Sequence, residues 1–229
     1  MEYLILIIFL VLILIALKII CKVNIKKIET LGKNDVLDEK INKFPSNVEI
    51  CKRILKKIGN ESIEVEEDID ASNCLYIVAT NKILIGYLRG SFTRIQTIAH
   101  ECLHSIQNKT LLLFNFIYSN IYLLTFVIFC ILAIFKVIQY KMLFISIFII
   151  MGFVFYFIRS YLENDAMTKA RFLAKEYIEE ENILNKEEIN EVINEYDKLN
   201  SMGIIATNYS LLFQVFIKTI ILILFIMFF

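Results

Sequence analysis

Two histidines, His100 and His104, are the only ones in the chain, and they stand four residues apart with a glutamate directly after the first. The segment Thr97-Ile98-Ala99-His100-Glu101-Cys102-Leu103-His104 therefore reads H-E-x-x-H. On a helix, residues i and i+4 share one face, and two imidazoles so placed can both reach one tetrahedral Zn²⁺ at about 2.0–2.1 Å. Glu101 then stands beside the metal rather than on it, where it can accept a proton from water held there. Chance places two histidines and a glutamate in this pattern in about one chain in a thousand, so the spacing favours a metal site over two unrelated surface histidines.

A catalytic zinc takes three protein ligands and keeps one position open. No histidine remains for the third place, and Cys102 falls on the opposite stripe of its own helix, with Ile95, Ile98, Ala99, Leu103 and Ile106. Carboxylates elsewhere are the candidates, and the elements that carry them must be located first.

Of the 229 residues, 58% are hydrophobic, against roughly half in soluble domains, and the excess collects in long runs. Residues 3–20 form the first, long enough to span about 30 Å of hydrocarbon. It reads as an uncleaved anchor, because Glu2 precedes it, no basic residue does, and no small-x-small cleavage site follows. Residues 111–158 are broken at 136–141 into two spans, 111–135 and 142–158, joined as a helical hairpin. The last run, 211–229, contains Gln214 and Lys218, which are expected to face the bundle or snorkel. The organisation is thus an anchor (1–21), a polar part bearing the H-E-x-x-H helix (22–110), a transmembrane hairpin (111–158), a polar helical part (159–210) and a final transmembrane helix (211–229). Lys22, Lys26, Lys27, Lys109 and Arg159 flank the polar parts, against Lys136 and Lys141 on the other side. That bias puts both polar parts in the cytoplasm and both termini outside, in a multi-pass protein of the plasma membrane.

In the first polar part, Ser46 and Glu49 resemble a capping box opening a helix whose apolar face is Ile50, Cys51, Ile54, Leu55 and Ile58, stopped by Gly59. Residues 75–79 and 83–87 are short β-branched runs around a Thr-Asn-Lys turn, hence a β-hairpin. Gly90-Ser91 opens the zinc helix. The second polar part continues the third span as a helix, and its many glutamates form a solvated face without EF-hand spacing. The fold class is α+β, predominantly helical, with four transmembrane helices and a small zincin-like domain containing a short hairpin. The five cysteines show no paired spacing and are expected to be buried hydrophobes. Equal numbers of acidic and basic residues, 24 of each, imply no polyanion partner by overall charge balance, so nucleic acid is not expected.

Topology narrows the third ligand. His104 lies seven residues before Leu111, which puts its metal about 10 Å from the membrane edge at helical rise. Glu163 and Asp165 lie five and seven residues beyond Ile158, at a matching height. Geometry favours these two and does not choose between them. Tyr161, Tyr177 and Tyr209 are candidates for a donor to a developing oxyanion.

At these residues the chain resembles the neutral zinc metallopeptidases of bacterial membranes of the YugP type. Their signature A-H-E-x-G-H-x-I-Q is matched by Ala99, His100, Glu101, His104, Ile106 and Gln107. Their later E-x-D-A-x-x-x-A is matched by Glu163, Asp165, Ala166 and Ala170, and Ala206-Thr207-Asn208-Tyr209 is similar to their A-L-T-Y region. The resemblance spans about residues 46–215. It implies one Zn²⁺ per chain held by His100, His104 and Glu163, Glu101 as general base, and Asp165 and Gln107 as residues supporting the ligands, Asp165 by orienting a histidine or an arginine such as Arg171. The chain departs from it at Leu103, where the family has glycine, and at 68–81, where the family has an aspartate-rich segment. The expected activity is hydrolysis of peptide bonds at the cytoplasmic membrane surface, with membrane proteins or their juxtamembrane tails as substrates. A non-catalytic zinc-binding membrane scaffold or assembly factor is the competing expectation.

Overall fold

The computed structural model describes residues 1–68, 70–71, 73–88 and 90–229. It is 74% helical, with one three-stranded sheet. The elements run α1 (Glu2–Ile20), α2 (Ile25–Leu31), α3 (Asp35–Ile41), α4 (Asn47–Lys57), β1 (Glu64–Glu67), β2 (Leu75–Ile77), β3 (Lys82–Ile85), α5 (Arg94–Ile106), α6 (Lys109–Ile134), α7 (Lys141–Glu181) and α8 (Lys186–Phe228). They divide into two compact units. One is Met1–Val23, Phe114–Tyr161 and Ile205–Phe229, and the other is Asn24–Leu113 and Leu162–Ile204.

The first unit draws on four helices long and apolar enough to cross a membrane. Its centre is aromatic: Tyr122 is fully buried and stacks on Phe148 and Phe155 at 4.8 and 5.4 Å between ring centres. Lys218 faces this cluster, its ammonium 5.0 Å from the Tyr122 ring centre, a cation–π contact that accommodates a charge among apolar helices. Gln214 lies exposed on the same helix.

The second unit carries the sheet, in the order β1-β3-β2. The expected hairpin is present in shorter form: β2 pairs antiparallel with β3, Tyr76 opposite Ile83, around a turn with Asn81 at φ 54°. Strand β1 pairs in parallel with β3, Val65 opposite Ile83. Its sequence, Glu-Val-Glu-Glu, has one apolar residue and no alternation, so no sequence signal announces it.

Helix α4 opens as expected, with Ser46 Oγ accepting from the Glu49 N–H at 3.3 Å. The Glu49 carboxylate pairs with Arg53 instead of returning to the cap. The helix closes in a Schellman turn. Asn60 N–H reaches Leu55 O and Gly59 N–H reaches Lys56 O, with Gly59 at φ 72°. The Asn60 amide then donates to Ser105 O and Oγ, fastening this end of α4 to the end of α5.

Helix α5 starts at Arg94, three residues after Ser91, because the Ser91 and Thr93 hydroxyls bond each other at 2.7 Å in a turn that precedes it. Ile95, Ile98, Ala99 and Cys102 are fully buried, whereas Ile106, at the helix end, is 49% exposed. Ala166, Ala170, Ala174 and Ile178 of α7 enter the same core at i, i+4 spacing, together with Val192 and Tyr196 of α8. All five cysteines are free; Cys51, Cys102 and Cys130 are buried as expected, and Cys21, beyond the end of α1, is exposed. Burial in this core pushes the Cys102 thiol well above its ordinary pKa, with the nearby Cys51 thiol, 3.6 Å away, adding to the effect.

Gly86 joins β3 to the segment before β2. A Cβ there would lie 2.5 Å from Asn73 O and 2.7 Å from Ala71 O, both backbone atoms that cannot move aside cheaply. At Gly59 nothing lies within 4 Å of a Cβ, and only the left-handed conformation resists substitution. Gly59→Ala should cost about 1 kcal/mol from its left-handed backbone, and Gly86→Ala about 3 kcal/mol from overpacking against backbone alone. Thermal unfolding of the two variants in the same detergent should give the larger loss of Tm for Gly86→Ala.

Candidate metal centre

The H-E-x-x-H residues fall on α5 as a continuous helix, so His100 and His104 stand one turn apart on one face. Their Nε2 atoms are 3.0 Å apart, and the rings meet edge to face. Glu163 of α7 brings its Oε2 to 3.3 Å from His100 Nε2 and 3.6 Å from His104 Nε2. These three groups form the one His/Cys/Asp/Glu cluster with metal-binding spacing among the described residues.

The donor set fits a small divalent ion. Three ligand atoms on a tetrahedron with bonds of about 2.0–2.1 Å lie about 3.3–3.4 Å from one another. The observed separations of 3.0, 3.3 and 3.6 Å bracket that value.

Glu163 reaches the cluster because of helical phase. It lies three and seven residues before Ala166 and Ala170, on the buried face of α7, where small side chains let the helix approach the core that contains α5. Asp165 points elsewhere: its Oδ2 accepts from Gln107 Nε2 at 3.0 Å and its Oδ1 pairs with Lys169 at 2.5 Å. Of the two carboxylates that spacing left open, Glu163 joins the histidines and Asp165 does not.

Gln107 connects Asp165 to the site. Its Nε2 donates to both Leu162 O, at 2.9 Å, and Asp165 Oδ2, so the amide orientation is fixed by two acceptors. Its Oε1 must then face His104 Nδ1, 2.8 Å away, and accept from an N–H there. His104 is thereby held as the Nδ1–H tautomer with the Nε2 lone pair directed at His100 and Glu163. Arg171, the other partner considered for Asp165, pairs with Asp197 at 2.9 Å.

Glu101 is 7% exposed, and its Oε2 accepts from the Tyr76 backbone N–H at 2.7 Å. Burial pushes its pKa up, against the opposing pull of His100, His104 and the Tyr76 N–H. For His104, burial acts downward, yet the bond to Glu163, the charges of Glu101 and Glu163 and the bond to Gln107 outweigh it and raise the pKa. The carboxylates that draw a proton to this imidazole would equally draw a cation.

Tyr76 is the residue that sequence reasoning missed. Its contribution is a backbone N–H on the edge strand, for which side-chain type gives no signal. The tyrosines proposed as oxyanion donors are placed otherwise. Tyr177 is buried against Phe44, and its hydroxyl has no hydrogen-bond partner among the described residues. Tyr161 is 63% exposed and Tyr209 stacks on Phe213.

Comparison with protein-family models, with curated proteins and with solved structures found no match.

The Gln107 contacts make a test of ligand support that needs no substrate. Gln107→Leu removes the acceptor that fixes the His104 tautomer and should weaken zinc binding by roughly 10–100-fold. Competition with a chromogenic chelator measures this, and Asp165→Asn, which leaves the amide in place, should cost less.

Proposed function

We propose that this protein is a membrane-embedded zinc metallopeptidase that hydrolyses peptide bonds at the cytoplasmic membrane surface. The observation that carries the reading is a buried carboxyl group, Glu101, set in the helix turn between His100 and His104, which with Glu163 of α7 form a three-donor cluster. Three donors suit a catalytic ion, which keeps a position for water or substrate, better than a structural one, which is closed by four. A divalent ion held by them would supply Lewis acidity and acidify a water molecule.

The chain's own groups have defined tasks in this reading. Glu101 takes the proton from the attacking water and returns it to the leaving amine, and its raised proton affinity suits both halves of that cycle. The Tyr76 N–H fixes Oε2, so the proton is carried on the other oxygen. Gln107 keeps His104 in one tautomer throughout.

Strand β2 supports a mode of substrate binding. It is an edge of the sheet, and the Tyr76 N–H turns away from β3 toward Glu101. An extended peptide laid along that edge would pair with strand backbone beside the catalytic base. Membrane proteins and their juxtamembrane tails are the substrates that a chain with four apolar helices would meet most often. The lysine-rich flanks of the polar parts support a cytoplasmic site in the plasma membrane.

The competing reading is a zinc-binding scaffold without turnover. Glu101→Gln separates the two, since a scaffold has no use for a base. The detergent-purified full chain should carry about one zinc, retained in Glu101→Gln and lost in Glu163→Ala. Cleavage of a reconstituted membrane-protein substrate should fall by about 10²–10⁴-fold in Glu101→Gln. A wild-type protein that takes up no metal after incubation with zinc would sink the peptidase reading; retained zinc with function unaffected by Glu101→Gln would leave the scaffold.

A further inference from the structure

The stretch between α1 and α3 takes no part in the metal centre, yet its composition is one-sided. Residues 18–33 hold Lys18, Lys22, Lys26, Lys27 and Lys33 against a single acid, Glu29. All five lysines are exposed, and none is in an ion pair among the described residues. Several lysines elsewhere in the chain are paired. Lys40 pairs with Glu191, Lys57 with Glu176 and Glu180, and Lys82 with Glu64 and Glu66. Lys52, Lys56, Lys109 and Lys186 also lack an ion pair among the described residues, but they are spread along the chain, whereas residues 18–33 gather five lysines in sixteen positions at the end of α1 and directly after it.

Helix α2 is capped by Asn24, whose Oδ1 accepts from Lys27 N–H at 3.0 Å. Its apolar residues Ile25, Ile28 and Leu31 recur every third position, but none is buried, and Ile25 is 59% exposed. An amphipathic turn with an apolar side only half-covered and with unpaired lysines suits a partner that is apolar and anionic at once. Covalent continuity supplies the choice. Lys22 follows the end of α1 by two residues and Lys27 by seven, so an extended chain could carry Lys27 no more than about 25 Å from it. A helix apolar enough to cross a membrane thus keeps this strip beside the bilayer surface at all times.

We propose that residues 22–33 form an anionic-lipid-binding strip, in which Lys22, Lys26, Lys27 and Lys33 engage the phosphates of acidic phospholipids while Ile25, Ile28 and Leu31 enter the headgroup layer. Clusters of four or more lysines beside a spanning helix gain attraction to acidic lipid with each charge, and apolar side chains of an interfacial helix add to it. The strip is independent of the metal centre and holds whether or not the protein is a peptidase.

The chain has no tryptophan, so Ile25→Trp gives a single fluorescent reporter in the full-length protein. It is reconstituted in phosphatidylcholine nanodiscs containing an equal mole fraction of either brominated phosphatidylglycerol or brominated phosphatidylcholine. Quenching by the brominated phosphatidylglycerol should exceed that by the brominated phosphatidylcholine by roughly threefold, reflecting local enrichment of acidic lipid. The preference should vanish in 0.5 M NaCl, where charges are screened within a few ångströms, and in the variant that also carries Lys22→Gln, Lys26→Gln, Lys27→Gln and Lys33→Gln. Circular dichroism and monodisperse elution establish that this variant is folded. Equal quenching by the two lipids, no quenching by either, or a preference that survives the four substitutions would overturn the proposal.

Discussion

The centre depends on the Gln107 side chain more than on any other uncharged group. It ends the helix that carries both histidines, and its amide is held by Leu162 O and Asp165 on a helix more than fifty residues further along. Because the NH₂ end is committed to two acceptors, the oxygen has one possible orientation, and the tautomer of His104 follows from it. One amide thus joins α5 to α7 and decides which imidazole nitrogen offers a lone pair. A carboxylate in its place could do the second task but not the first, having no N–H to give.

The other end of α5 is held by a different device. Arg94 is buried, and its guanidinium donates to Ile41 O, Phe44 O, Pro45 O and Asn47 Oδ1. Among the described residues no carboxylate pairs with it, and burial lowers its pKa. Its two terminal nitrogens are satisfied by carbonyl oxygens, including one from the last turn of α3, where the helix dipole is negative, while its buried Nε has no hydrogen-bond partner among the described residues. Hydrogen bonds to a charged donor contribute about 1.5–3 kcal/mol each, enough for several of them to offset desolvation. Arg94 anchors the start of α5 and Gln107 its end, and the two histidines lie on the rigid length between them. Placement of ligands within a few tenths of an ångström requires that both ends be fixed.

Much of this was legible in the sequence, for reasons that differ by element. The four apolar helices and the histidine pair declare themselves through length and period, which local chemistry enforces. The capping of α4 by Ser46 is equally local. The choice of Glu163 over Asp165 was not legible from height above the membrane, because both residues satisfy it. Helical phase was the usable signal: Ala166, Ala170 and Ala174 mark the buried face, and Glu163 lies on it. The resemblance to YugP-type peptidases had implied the same residue, and the packing gives a physical reason for it. Strand β1 and the Tyr76 N–H were beyond any local reading. The first has an exposed, acidic sequence that forms a strand only because β3 offers an edge. The second is a backbone group whose role arises only when β2 is laid against α5.

Charge decides what the cluster prefers to hold. Glu101 and Glu163 bring two negative charges to a site where Glu101 is almost fully buried, and the two imidazoles bring none while neutral. Buried charge without a partner is costly. A proton on His104 cancels half of it, and the raised pKa of that imidazole expresses the partial remedy. A divalent cation cancels all of it, and it does so at the point where three lone pairs already converge. It also asks His104 to be neutral with its proton on Nδ1, the state that Gln107 enforces. Tautomer, geometry and net charge are set by different residues, and one small divalent ion could satisfy all three.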